Sequence, residues 1–262
     1  MFKKETILFI ILGGFFIANA LIAEMIGVKI ISMEKILGMN PVDWTLFGQS
    51  GLSFNLTAGV LLWPVVFVMT DVINEYFGQK GVKILSYLAV GLISYAFVMI
   101  YLSISADPAD FWIGSHLQSS PPKATAEEVG NFDAAFRVVF GQGLWIIIGS
   151  LVAFLIGQIT DVFTFHRIKR VTGEGKVWLR ATGSTLVSQF IDSFVVLIIA
   201  FYIGADWSLV LVLAIGTVNY IYKFVVAVVL TPVIYLAHFL IDRYLGEELA
   251  DRLKREAAGL SS

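Results

Sequence analysis

The sequence contains no cysteine, which removes disulfides, thiolate nucleophiles and cysteine-ligated metal from consideration. Only three histidines occur, His116, His166 and His238. They lie on three separate segments, too far apart to share a metal. Neither an H-E-x-x-H zinc helix nor a G-x-S-x-G nucleophile elbow is present, so the common metallohydrolase and serine-hydrolase designs have no foothold. Charge is scarce as well. Charged residues make up 15% of the chain and the formal net charge is -2, against about 25% charged in soluble domains. No basic face is available for nucleic acid.

What is abundant is apolar surface. Hydrophobic residues make up 58% of the chain and mean hydropathy is +0.83, which reads as an all-α integral membrane protein. A helix needs about 20 apolar residues to cross the hydrocarbon core. Six segments qualify, at roughly 7–26, 56–73, 84–104, 138–160, 182–203 and 209–240. Together they make one six-helix transmembrane domain over 1–262. Lys3 and Lys4, the run from Ile7 and the Ala18–Ala20 triplet imitate a cleavable leader. The apolar stretch continues through Val28, however, which favours an uncleaved first span.

Basic residues orient these spans. With the N-terminus in the cytoplasm, the inner side holds Lys3, Lys4, Lys80, Lys83, Arg167, Lys169, Arg170, Lys176, Arg180, Arg243, Arg252, Lys254 and Arg255. The outer side holds only Lys29, Lys35, Lys123 and Arg137, and Lys223 falls within a span. Both termini are therefore expected inside. The 105–137 loop, with Asp107, Asp110, Glu127, Glu128, Asp133 and Pro121-Pro122, is expected outside. Trp44, Trp112 and Trp207 fall at the outer boundary and Trp178 at the inner one, as interfacial anchors. The tail at 242–262 reads as a solvated helix. Gly149, Ala153 and Gly157 form a small-residue seam for close helix packing, equally compatible with a homo-oligomer.

Against this background the mid-span polar residues stand out, because a charged group at bilayer centre costs about 2.5–3.5 kcal/mol on insertion scales. The candidates are Asn19, Asp71, Gln158, Asp161, Gln189, Asp192, Asn219 and Lys223, with Glu24, Asn74 and Glu75 as secondary candidates. Gln158/Asp161 and Gln189/Asp192 are both Q-x-x-D, one turn apart on a shared face, and Asn219/Lys223 are i, i+4. The tripeptide T-D-V occurs at Thr70–Val72 and again at Thr160–Val162. Asp192 and Lys223 sit at matching depth on neighbouring antiparallel spans, where pairing would offset their desolvation. A central polar cavity follows, suited to a planar heterocycle: carboxylates and amides meet its edge while rings stack on its faces. Phe15, Phe16, Phe67, Tyr76, Phe154, Phe163, Phe190, Phe194, Tyr220 and Tyr222 are the aromatic candidates. No cofactor, metal ligand set or catalytic residue is expected.

The stretches TDVINEYFGQKGVK (70–83), GQITDVFTFHRIKR (157–170), STLVSQFIDSFVVLIIAFY (184–202) and NYIYKFVVAVVLTPVIY (219–235) resemble the queuosine precursor transporters of the bacterial inner membrane. The resemblance covers most of the chain outside the long outer loop. It implies import of 7-deazaguanine precursors, chiefly 7-cyano-7-deazaguanine, and a carrier with a polar cavity is expected to work by alternating access. It also implies a place in the binding site for Asn19, Asp71, Gln158, Asp161, Gln189, Asp192 and Lys223. The main alternative is a substrate-binding subunit of an energy-coupling-factor vitamin importer. Such subunits carry A-x-x-x-A in their first helix, whereas the residue four after Ala20 is Glu24.

Overall fold

The fold is described by a computed structural model covering residues 2–114, 129–141, 143–172 and 177–258. The expectations for His116, Pro121-Pro122, Lys123, Glu127, Glu128 and Lys176 lie outside the described residues, as do those for the side chains of Trp178 and Arg180. Helix α1 spans Lys4–Ile26. Strands β1 (Ile30–Ser32), β2 (Trp44–Leu46), β3 (Gln49–Leu52) and β4 (Asn55–Thr57) follow, with the short helix α2 (Met33–Ile36) after β1. A 3-10 turn at Ala58–Leu61 leads into α3, Trp63–Ser105. Then come α4 (Asp110–Ile113), α5 (Phe132–Phe140), α6 (Leu144–Thr172) and α7 (Val177–Leu197), which ends in a π-helical turn at Ile198–Ile203. The chain finishes with α8 (Leu209–Val229), α9 (Thr231–Leu245) and α10 (Glu247–Ala257).

Among the described residues, five helical stretches are long and apolar enough to cross a membrane: Lys4–Ile26, Trp63–Ser105, Phe132–Thr172, Thr182–Ile203 and Leu209–Val229. With the family evidence below, this makes the chain a multi-pass membrane protein. Large apolar side chains such as Ile10, Phe15, Leu88, Val98, Phe163, Phe190, Val229 and Phe239 face outward, as expected where lipid tails are the solvent. Stretch α3 holds two of the six sequence segments. Gly78 interrupts it with φ 64 and ψ -172, a backbone conformation essentially reserved for glycine, so two helical arms meet at an elbow there. The first arm begins at Trp63 and not at Leu56, because Leu56 is committed to pairing in β4 opposite Ile31. The last segment is also shorter than its apolar run. Helix α8 stops at Val229 and α9 restarts with Pro232 in its first turn, since proline's missing N–H fits a helix start and breaks a helix interior.

The four strands are an addition to an otherwise all-helical fold. They pair as β1–β4 and β2–β3, both antiparallel. Leu52, with Trp44, Leu46 and Phe54, packs on Ala214 and Val218 of α8, so the hairpins form a platform over that end of the bundle. Glu34 pins the platform: Phe54 N–H donates to Glu34 Oε1 at 2.7 Å and the Ser32 hydroxyl to Oε2 at 3.1 Å.

At the opposite, basic end the two termini touch. Lys4 Nζ donates to the Tyr244 carbonyl at 3.1 Å, and Arg252 lies 3.9 Å from Glu5. The tail is not simply solvated, as its mixed charges suggested. Ala250 and Leu253 of α10 are buried in the same core as Leu8, Tyr76 and Ile241. A Cβ at Gly78 would come within 3.2 Å of Ala257 Cα. Tyr76 donates to Asp242 Oδ1 at 2.7 Å, and Lys254 reaches Asp242 Oδ2 at 2.8 Å. The tail helix thus seats on the elbow.

Gly78→Ala is expected to destabilise the protein by about 1–3 kcal/mol through backbone strain, before its clash with α10 is counted. Thermal unfolding of the purified protein in detergent measures this; an unchanged midpoint would refute the elbow's dependence on glycine. Burial disfavours the Glu34 charge, but the Phe54 N–H and the Ser32 hydroxyl outweigh it and hold the carboxyl below its usual range. The contribution of this contact is therefore complete at neutral pH and fades as pH falls through that lowered value. The hydrogen-exchange protection factor of the Phe54 amide, taken against the intrinsic rate at each pH, should be high at neutral pH, lower in acid, and low at both in Glu34→Ala.

Candidate functional site

The polar residues within the helices sort into three zones. The widest is a cavity of about 620 Å³ that opens toward the hairpin platform. Its walls include Ala23 and Glu24 of α1, Gly27 just past its end, Asn55–Thr57 of β4, Trp63 at the head of α3 and Ser150 of α6. Asp192 and Phe201 come from α7, Trp207 from the α7–α8 turn, and Asn219 and Lys223 from α8. This volume lies in the range of small-molecule sites, about 300–1,000 Å³. The ion pair expected between Asp192 and Lys223 forms, with Lys223 Nζ donating to Asp192 Oδ2. The i, i+4 spacing of Asn219 and Lys223 brings both into the same wall. Glu24, a secondary candidate, lies 8% exposed across the cavity and accepts from the Ser150 hydroxyl.

A narrow cleft of about 20 Å³ continues inward, lined by Trp63, Val68, Asp71, Thr185, Gln189 and Lys223 among others. Lys223 and Trp63 belong to both spaces. Asp71 accepts from Thr185 Oγ1 at 3.1 Å and from Ser184 Oγ at 3.4 Å. Asp161 accepts from Ser188 Oγ at 3.1 Å. Gln158 faces elsewhere, beside Lys83 and Ser86; its Oε1 accepts from Thr70 at 3.1 Å and Ser86 at 3.4 Å. Asn19 spends its amide on the Phe15 carbonyl of its own helix, at 2.8 Å.

The third zone is a polar clasp at the basic end. Lys169 donates to Glu75 at 3.2 Å with both side chains almost fully buried. His166 Nε2 lies 2.9 Å from Asn74 Oδ1. His166 was expected in a loop, but α6 continues to Thr172 and carries it into the bundle. His238 likewise sits in α9, with Nδ1 3.1 Å from the Tyr76 hydroxyl. Among the described residues no group of three His, Asp or Glu side chains could hold a metal ion.

The aromatic candidates are the least well placed. Phe15, Phe163 and Phe190 are about half or more exposed on the outer surface, while Phe16, Phe67 and Phe154 are sealed in the core. The rings that do line the cavity are Trp63, Phe201 and Trp207. Phe201 and Trp207 stack with centroids 4.5 Å apart. Trp207 looks like an interfacial anchor in sequence, and it serves the cavity because the π-helical turn folds back beneath it, with Trp207 N–H donating to the Phe201 carbonyl at 2.9 Å. The small-residue seam explains how α7 brings Asp192 so close to α6. A Cβ on Gly149 would lie 3.1 Å from the Val196 carbonyl, and one on Gly157 3.8 Å from Asp192 Cβ.

A family model described as "Putative vitamin uptake transporter" matches residues 57–237, a range that holds every polar candidate above except Asn19 and Glu24. The chain belongs to this family. A Bacillus subtilis (strain 168) protein named "Probable queuosine precursor transporter" is 31% identical over 191 residues, covering 70% of this chain and 73% of the relative. A Haemophilus influenzae (strain ATCC 51907 / DSM 11121 / KW20 / Rd) protein of the same name is 27% identical over 192 residues, covering 71% and 69%. No solved structure matches the chain. As a member of a transporter family, it is a multi-pass membrane protein whose role is transport and not catalysis.

The clasp gives a direct test of how its charges are held. Removing one partner of a buried pair costs about 3–5 kcal/mol, while removing both is often close to neutral. Lys169→Met alone should therefore lower the unfolding midpoint sharply, and adding Glu75→Gln should restore most of it. Additive losses would show that the two side chains are not coupled.

Proposed function

We propose that this protein imports 7-deazaguanine precursors of queuosine, chiefly 7-cyano-7-deazaguanine, across the bacterial inner membrane. The carrying observation is the open cavity, in which Asp192, Lys223 and Asn219 stand beside the rings of Trp63, Phe201 and Trp207. A guanine-like edge offers adjacent N–H and NH2 donors to a carboxylate, and its flat face suits aromatic stacking. The names of both relatives point to the same substrate class. The chemistry of the cavity supports that class; the family description by itself would fit other vitamin-like cargo.

In this reading the six apolar segments are six spans, with α3 contributing two that turn at Gly78, and both termini are cytoplasmic. The basic clusters Lys80/Lys83 and Arg167–Arg170 then lie inside, and the cavity faces outward. Substrate enters from the platform side and meets Asp192, which exchanges part of its bond with Lys223 for the ring edge. Alternating access follows if the clasp at the basic end opens while the cavity closes. The runner-up, a substrate-binding subunit serving a separate coupling module, differs in needing a partner for uptake.

Asp192→Ala should abolish precursor-dependent queuosine in tRNA of a host that cannot synthesise the precursor, with protein still present in the membrane fraction. Retained queuosine would remove Asp192 from the site. Binding to the purified protein should favour 7-cyano-7-deazaguanine over guanine and over riboflavin. Uptake in a host lacking any coupling module supports a self-sufficient carrier; its absence there, with binding intact, supports the runner-up.

A further inference from the structure

Two carboxylates sit beyond the open cavity, deep between α3, α6 and α7. Asp71 is 1% exposed and Asp161 is 0% exposed. They are close enough for their charges to act on one another, and Ser184 contacts both. Helix α7 supplies a row of hydroxyls along one face: Thr185 and Ser184 donate to Asp71, and Ser188 to Asp161. Even so, two acceptors go unmet here, as do two buried donors one turn along the same helices, Asn74 Nδ2 and Gln158 Nε2. Asp161 Oδ2 receives no hydrogen bond. Gln189 Oε1, buried and on the wall of the cleft that Asp71 also lines, receives none either.

The charged and titratable groups on the surrounding elements are otherwise engaged. Glu75, on the same arm as Asp71, adds further negative charge and is bound by Lys169 of α6. His166, also on α6, faces Asn74. Lys223 of α8 lines the cleft with Asp71 but donates to Asp192. Two ionised carboxylates in this setting would each lose their hydration and repel one another as well. One shared cation relieves both penalties, and the two groups then titrate as a unit. A proton suits the inventory, since a protonated carboxyl supplies a donor to the unmet acceptors Asp161 Oδ2 and Gln189 Oε1.

We propose that Asp71 and Asp161 together hold a single proton and form the coupling site through which a proton gradient drives uptake. The second half of this statement rests on the transport reading above. The link to substrate is Lys223, which lines both spaces, so a substrate that loosens the Asp192–Lys223 bond changes the charge facing Asp71. Carboxylates buried within membrane helices form proton relays in transporters, and the two here come from the two T-D-V tripeptides.

The purified full chain tests this in two ways. Infrared spectroscopy at neutral pH should show the carbonyl stretch of a protonated carboxyl group, and the Asp71→Asn/Asp161→Asn double variant should lose that intensity. An unchanged band overturns the shared proton, whether or not the substrate is correctly named. In liposomes, labelled 7-cyano-7-deazaguanine should accumulate when the outside is acidic, and a protonophore should abolish accumulation. Asp161→Asn and Asp71→Asn should each lose the dependence of accumulation on the pH gradient, and Asp161→Glu, which keeps a titratable carboxyl, should retain part of it. Accumulation driven by a sodium gradient at equal pH, or unimpaired in Asp161→Asn, overturns the coupling role. Wild-type protein that binds the probe but neither exchanges nor accumulates it counts against the transport reading, and the infrared result then decides the proton site alone.

Discussion

A charge taken out of water must find a partner or be neutralised, and that rule organises this molecule from one end to the other. Asp192 is answered by Lys223, Glu75 by Lys169, and Asp71 and Asp161 by the hydroxyls of α7. These contacts join different helices, so they also fix how the helices stand to one another. In lipid the apolar faces give little preference for one helix neighbour over another, since hydrocarbon is as good a solvent as leucine. Specific arrangement has to come from close approach at small residues and from polar contacts. Gly149 and Gly157 allow α6 and α7 to meet closely, and the paired charges select which residues face inward. The polar residues are thus part of the architecture before they are part of the site.

Much of this was legible in the chain. The apolar segments, the convergence of Asp192 with Lys223, and the shared face of Asn219 and Lys223 follow from helical spacing and bilayer thickness. The repeated T-D-V is also informative. It is too short to argue from alone, yet it places two aspartates at matching positions on two elements running in the same direction, and the fold brings them together. What did not show in the sequence belongs to tertiary context. The platform strands are only three or four residues long, and their stability comes from packing on α8, which no local pattern reveals. The elbow at Gly78 lies between two polar stretches where a loop is the natural reading. Only the positive φ and the contact with Ala257 show that a glycine is required. The aromatic lining was misplaced because phenylalanine faces lipid, core and cavity alike. Trp63 and Trp207 carried the better signal: each lies at a helix boundary on the side where the cavity opens.

The two ends of the bundle differ in a way that bears on the transport reading. At the hairpin end the helices diverge around a cavity of about 620 Å³. At the basic end the chain is layered shut: Lys169 on Glu75, His166 on Asn74, Tyr76 on Asp242, and α10 seated over Gly78. Under the alternating access proposed above, an arrangement open at one end and bonded at the other stands for one half of the cycle. The other half requires the clasp to yield, and its construction suits that demand. A buried ion pair adds little net stability over an apolar contact, so it can be exchanged for water without a large change in free energy, whereas a hydrophobic seal of equal area could not.

The positions of the carboxylates give such a cycle an order. In the proposed cycle Asp192 and Lys223 meet the substrate first; Asp71 shares the next cleft with Lys223, and Glu75 belongs to the clasp. Each step inward passes through a residue that belongs to two neighbouring groups: Lys223 to cavity and cleft, and the Asp71-bearing arm of α3 to cleft and clasp. That arm ends at Gly78, the one point within α3 where the backbone leaves helical geometry. A change of charge at Asp71 is therefore applied to an element with a turn at its inner end and a tail helix bearing on that turn. Coupling between the two ends needs no long chain of contacts here, because a single rigid arm about 15 residues long, at 1.5 Å per residue, reaches from the cavity mouth to the clasp.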